Sequence, residues 1–273
     1  MFSRFLKTWL TGTVCALSLV GRAAGTQKPE HVFRVCADPN NLPFSNLHEQ
    51  GFENKIASLL SSTLREKLSY TWWVGRDNLA KNTLNTNLCD VLVGVPVGSE
   101  SVLTTQPYYR STYVFVSRTD RHLHIESLYD SRLERLRIGI HVLGNGFSPP
   151  DVVLARQGIR SQVLGYSMLG AYGEPNPPSR LIDAVENRDV DVAIVWGPLA
   201  GYYAQHEAAP LDVVAVSPDH VGIVPFSYDM AMAVRKDNIA LRDRLDQVIV
   251  SKSKEIRAIL TSYGVPAPAG SKE

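Results

Sequence analysis

The sequence predicts an α/β protein of two lobes, each a parallel-rich sheet flanked by helices, joined by hinge strands around a cleft. Two observations carry this expectation. Runs of β-branched and aromatic residues alternate with stretches of helical apolar spacing, first from Phe33 to Val95 and again from Leu136 to Tyr203. Such alternation indicates strands laid parallel with helices across them. Between the two series lies one extended segment, Tyr108 to Arg118, opened by Pro107 and free of glycine and proline thereafter. A single strand leaving one α/β half for another is a natural hinge, and clefts form at hinges. This is the pattern of a type II periplasmic-binding-protein-like fold.

The amino terminus stands apart from that pattern. Arg4 and Lys7 precede an apolar run from Trp9 to Val20, too short to span a bilayer, and Gly21, Ala23 and Ala24 supply small residues for cleavage. Residues 1–24 therefore read as a secretory signal peptide, which places the mature chain in the periplasm with no membrane span. Losing Arg4, Lys7 and Arg22 takes the formal net charge from +1 to about −2. Nothing basic is left to suggest a nucleic-acid partner. The remainder, from a chain that is 44% hydrophobic, is enough for two cores.

Cys15 leaves with the signal, so Cys36 and Cys89 remain as an even pair in an oxidising compartment. Cys36 closes the first strand, Val32–Val35, and Cys89 opens the third, Val91–Val95. If those strands are neighbours, a disulfide is feasible and would stabilise by about 4 kcal/mol. Two buried free thiols are the alternative. A metal pair is disfavoured, since no histidine is spaced to complete it.

The first lobe is expected over residues 25–117. Its first strand runs into a turn-rich loop, Asp38 to Asn46, and a helix follows Gly51 with Phe52, Ile56, Leu59, Leu60 and Leu64 on one face. A strand at Tyr70–Val74 and a short helix carrying Leu79 and Leu84 precede the third strand. The second lobe is expected over 118–221. It has strands at Leu136–Ile140, Val163–Tyr166 and Val190–Trp196, with helices from Pro150, after Pro178 and from Gly197. Residues 222–273 return to the first lobe through a strand at Ala231–Val234. One long amphipathic helix then runs to a break near Gly264-Val265-Pro266.

Ligands of open α/β sheets settle at the carboxyl ends of strands. That rule nominates Asp38, Asn40, Asn41 and Phe44 in the first loop, His141 and Asn145 after one second-lobe strand, Tyr166 and Tyr172 after another, and Trp196 after the last. The hinge segment adds Tyr108, Tyr109 and Arg110.

Several segments resemble a known family: Arg34–Ser45, Gly51–Ile56, Tyr70–Trp73, Cys89–Val91 and Leu103–Val116 in the first half, and Pro175–Pro178 and Val195–Tyr202 in the second. They are similar to the quinoprotein-dehydrogenase-associated periplasmic solute-binding-like proteins, the MxaJ/XoxJ type, over roughly Phe33 to Pro266. The resemblance implies a periplasmic protein of the type II binding-protein superfamily. It also implies a partner, a PQQ-dependent methanol dehydrogenase (calcium- or lanthanide-dependent) or its cytochrome c. The protein would assist that enzyme's maturation or activation rather than feed a transporter.

The residues themselves bear on the choice of ligand. Amino-acid receptors of this superfamily clamp the ligand carboxylate with an arginine shortly before the hinge strand, and receive the ammonium on an aspartate ending the last second-lobe strand. Here Gly98 to Thr105 holds no arginine, and Trp196 ends that strand. Without those clamps a zwitterion would be desolvated unpaired. The cleft is expected to be aromatic and weakly charged, suited to an apolar ligand or a protruding segment of a protein partner. Gly144-Asn145-Gly146 lacks both a P-loop lysine and the dinucleotide fingerprint, and no motif marks a nucleophile, a metal or a cofactor. A non-enzymatic binding protein is the expectation. A transporter's receptor for a small molecule other than an amino acid is the alternative.

Overall fold

The computed structural model describes Met1 and residues 31–75, 78–142, 148–169 and 176–266. The expected signal peptide, apart from Met1, and the nominated Asn145 and Tyr172 lie outside the described residues. Within them no helix is long and apolar enough to cross a membrane.

Nine strands form one continuous sheet with two parts. They are β1 (Val32–Ala37), β2 (Lys67–Trp72), β3 (Val91–Pro96), β4 (Leu103–Arg118), β5 (Ile138–Val142), β6 (Val163–Ser167), β7 (Val192–Trp196), β8 (Leu211–Ala215) and β9 (Ser227–Val234). Their order is β2-β1-β3-β9-β4-β7-β5-β6, with β8 also on β4. The outer strands of both parts run parallel, β1 with β2 and β3, and β5 with β6 and β7.

β4 is the strand that both parts share. From Leu103 to Thr112 it pairs antiparallel with β9. From Tyr113 to Val116 it pairs with β7, and from Val114 to Arg118 with β8. The expected hinge strand is thus present, but it begins at Leu103 rather than Tyr108. Pro107 sits inside it where the β9 register shifts between Met230 and Ala231. A bulge tolerates a residue with no N–H to give.

Six helices pack on these parts: α1 (Phe52–Leu64), α2 (Pro149–Arg156), α3 (Arg180–Glu186), α4 (Gly197–Ala204), α5 (Ile239–Ser251) and α6 (Ser253–Ser262). The single C-terminal helix expected from its spacing is two, because Lys252 leaves the helical region at φ −112°, ψ 18°. The short helix around Leu79 and Leu84 is a π-helical turn over Ala80–Leu84.

The pleat of the sheet sorts the cores. Phe33 and Val35 of β1, with Val91 and Val93 of β3, face α1 and α5 through Phe52, Ile56, Leu60 and Leu245, all buried. The alternate residues Cys36 and Leu92 face the other way, onto Leu84 and Val102. Cys36 and Cys89 form a disulfide there, with Cα atoms 5.6 Å apart. A separate core behind the second part gathers Phe115, Leu133, Ile138, Leu154 and Phe226.

Candidate functional site

The loop after β1 is built before it can bind anything. The Asp38 carboxylate accepts from the Asn40 and Gly75 amides at 2.9 and 2.8 Å, and the Ser45 hydroxyl donates to the Asp38 carbonyl at 2.8 Å. Asn40–Asn41 pairs with Ser45–Asn46 as a small antiparallel ladder. The Asn54 side-chain oxygen accepts the Asn46 and Gly51 amides, each at 3.1 Å. Gly51 passes so close that a Cβ there would stand 2.0 Å from the Phe44 carbonyl oxygen. Only glycine admits that approach, and it fixes where Phe44 points.

Phe44 helps to line a cavity of about 320 Å³ where the two parts of the fold meet. Pro96, Tyr228 and Met230 come from the ends of β3 and β9, and Tyr113 lies where β4 changes partners. From the second part come His141, Ser148, Met168, Ile194, Trp196 and Leu199. The aromatic wall is a chain of tilted contacts. Trp196, opposite Tyr113 in register, meets it at 5.4 Å and 62° and meets Tyr228 at 5.8 Å and 70°, while Tyr113 meets Phe226 at 5.9 Å. Edge-to-face pairs of this kind are worth about 1 kcal/mol beyond the area they bury.

Among the described residues that line the cavity, none is Asp, Glu, Lys or Arg. His141 is the one side chain there that could carry a positive charge, and burial holds it neutral, with its pKa pushed down to about 4. Its Nε2 lies 3.0 Å from the Pro178 carbonyl. A carbonyl can only accept, so Nε2 bears the proton and Nδ1 is left as an acceptor. Tyr113 and Tyr228 are likewise kept neutral, their pKa values raised chiefly by desolvation. Ser148 is 4% exposed, and its Oγ is buried with no hydrogen-bond partner among the described residues.

Of the residues nominated from the sequence, the cavity brings together Phe44, His141 and Trp196. Asp38, Asn40 and Asn41 shape the loop that carries Phe44. The Tyr108 hydroxyl donates to the Val93 carbonyl at 2.9 Å, and Tyr109 packs edge-on against Phe52; both pack on the large core, and neither is in the cavity lining. Arg110 lies opposite Asp229 on β9 and pairs with it at 3.1 Å and with Asp219 at 3.8 Å. Tyr166 lies beside His141 in the β5–β6 register but is not in the lining. Sequence reasoning missed Tyr113, Ser148, Met168, Tyr228 and Met230. Tyr113 was within reach, since it occupies the same expected hinge strand. Tyr228 and Met230 fell just before the expected start of β9.

Two α/β parts sharing a long strand, with a cavity where they meet, define a binding-protein architecture. The sequence profile described as bacterial extracellular solute-binding protein matches residues 97–265, and the chain belongs to that family. It is similar to the protein MoxJ of Methylorubrum extorquens, at 32% identity over 263 residues, 90% of this chain and 85% of that protein. Among solved structures, MxaJ from Methlophaga aminisulfidivorans superposes with a TM-score of 0.73 at 27% identity, covering 86% of this chain and 99% of that one. The periplasmic binding protein XoxJ from Methylobacterium extorquens superposes at 0.71 with 31% identity, over 87% and 99%.

Proposed function

We propose that this protein is a periplasmic accessory factor that docks on a PQQ-dependent methanol dehydrogenase, or its cytochrome c, and assists the enzyme's maturation or activation. The observation that carries this reading is the absence of Asp, Glu, Lys and Arg among the described residues of the lining. Where an amino-acid receptor needs an arginine and an aspartate, the described lining offers Trp196, Tyr113, Tyr228 and a neutral His141. A charged metabolite finds no charged partner among the described lining residues to replace its water. Near-full-length similarity to MoxJ and to the MxaJ and XoxJ structures supports the same reading.

A transporter's solute receptor is the second reading, and the family membership together with a cavity where the two parts meet favours it. Deleting the gene separates the two. The accessory role predicts a dehydrogenase polypeptide at normal abundance with its activity reduced severalfold. Normal dehydrogenase activity, with uptake of one solute abolished, would contradict it.

A further inference from the structure

Ser148 occupies the N-cap of α2, where a serine hydroxyl ordinarily accepts a backbone N–H from the second or third residue of the helix. Here it makes no such bond. The sequence explains half of this: Pro149 and Pro150 fill the first two helical positions and have no N–H, leaving Asp151 as the sole donor. The hydroxyl instead sits in the cavity lining, buried and without a partner among the described residues. A buried unsatisfied hydroxyl costs about 1–3 kcal/mol. Native structures seldom leave one unless something else satisfies it.

The rest of the lining limits what that something is. A volume of about 320 Å³ is at the lower end of the range for small-molecule sites. The walls are aromatic and thioether side chains, with Phe44, Tyr113, Trp196, Tyr228, Met168 and Met230 offering ring faces, ring edges and sulfur. No described charged residue lines it, which disfavours an ionised ligand. A ligand hydroxyl both donates and accepts, and so can pair with Ser148 Oγ in either direction.

We propose that this cavity is a binding site for an uncharged, single-ring molecule bearing one hydroxyl group, held by the aromatic wall and hydrogen-bonded through Ser148. The site rests on the chemistry of the lining, and it holds whether or not the protein docks on a dehydrogenase.

The test is isothermal titration calorimetry on the purified protein with three probes: p-cresol, toluene and benzoate. The site predicts saturable binding of p-cresol at about millimolar concentration or below, weaker binding of toluene, and none of benzoate. Ser148→Ala removes a hydroxyl with no partner among the described residues, so the variant is expected to fold with unchanged thermal stability. It should weaken p-cresol five- to tenfold and leave toluene within twofold. Absence of saturable p-cresol binding, benzoate binding as tight as p-cresol, or equal losses of p-cresol and toluene in the variant would each overturn the proposal. These readouts involve no dehydrogenase, so their failure leaves the docking role standing, and the deletion test leaves this one standing.

Discussion

His141 shows how one side chain's surroundings decide its chemistry. Imidazole ordinarily titrates near 6.5, but burial under the second-part core brings this one down to about 4. The sign follows from linkage: the unfolded chain takes up the proton first as the pH falls. The stability that neutral His141 contributes is therefore complete above about 6.5, declines through the interval below, and is exhausted near 4. An NMR titration of the ring is expected to show His141 still neutral at pH 5.5; an inflection near 6.5 would contradict its burial. At this scale the sequence was informative where a residue ends a strand. Phe44, His141 and Trp196 were legible by the strand-end rule. Tyr108 and Tyr109 instead meet each other ring to ring at 4.9 Å and pack on the large core, where the register of β4 shifts beside them. Ser148 had no legible signal, since a serine before two prolines reads as an ordinary helix start.

Among the elements, α4 and the segment after α6 approach each other backbone to backbone. A Cβ on Gly201 would stand 1.8 Å from the Gly264 carbonyl oxygen, and Gly264 itself has φ +65°. The Ser111 hydroxyl donates to the Pro266 carbonyl at 3.0 Å, and Tyr263 stacks on Tyr202 at 5.7 Å. Gly201→Ala must push the two backbones apart and is expected to destabilise by about 2 kcal/mol, read as a lowered Tm. An unchanged Tm would mean that the C-terminal segment does not rest on α4. The alternation of strands and helices was legible because parallel β–α–β packing needs apolar strands and amphipathic helices. The break between α5 and α6 was not, since Lys252 is neither glycine nor proline. β8 escaped notice because Leu211–Ala215 reads as a short run, and only its pairing along β4 makes it a strand.

Across the whole molecule, one buried contact joins the loop after β1 to α4: the Tyr203 hydroxyl donates to the Leu42 carbonyl at 2.9 Å. Phe44 and Leu199, near neighbours of those two residues, both line the cavity, so widening the cavity along this edge would have to break the bond. The two-lobed plan could be foreseen from one hinge strand between two α/β series. The cavity's composition could not, because it depends on the register of β4 against β7 and β9, which brings Tyr113, Trp196 and Tyr228 together. The proposed function requires that this binding-protein fold serve a protein partner. Native mass spectrometry on the protein isolated gently from its own periplasm tests this most directly. The expected result is a species whose mass equals this chain plus a dehydrogenase or cytochrome subunit, lost or much reduced in Trp196→Ala. Free monomer alone, at concentrations where the dehydrogenase is present in the same sample, would contradict it.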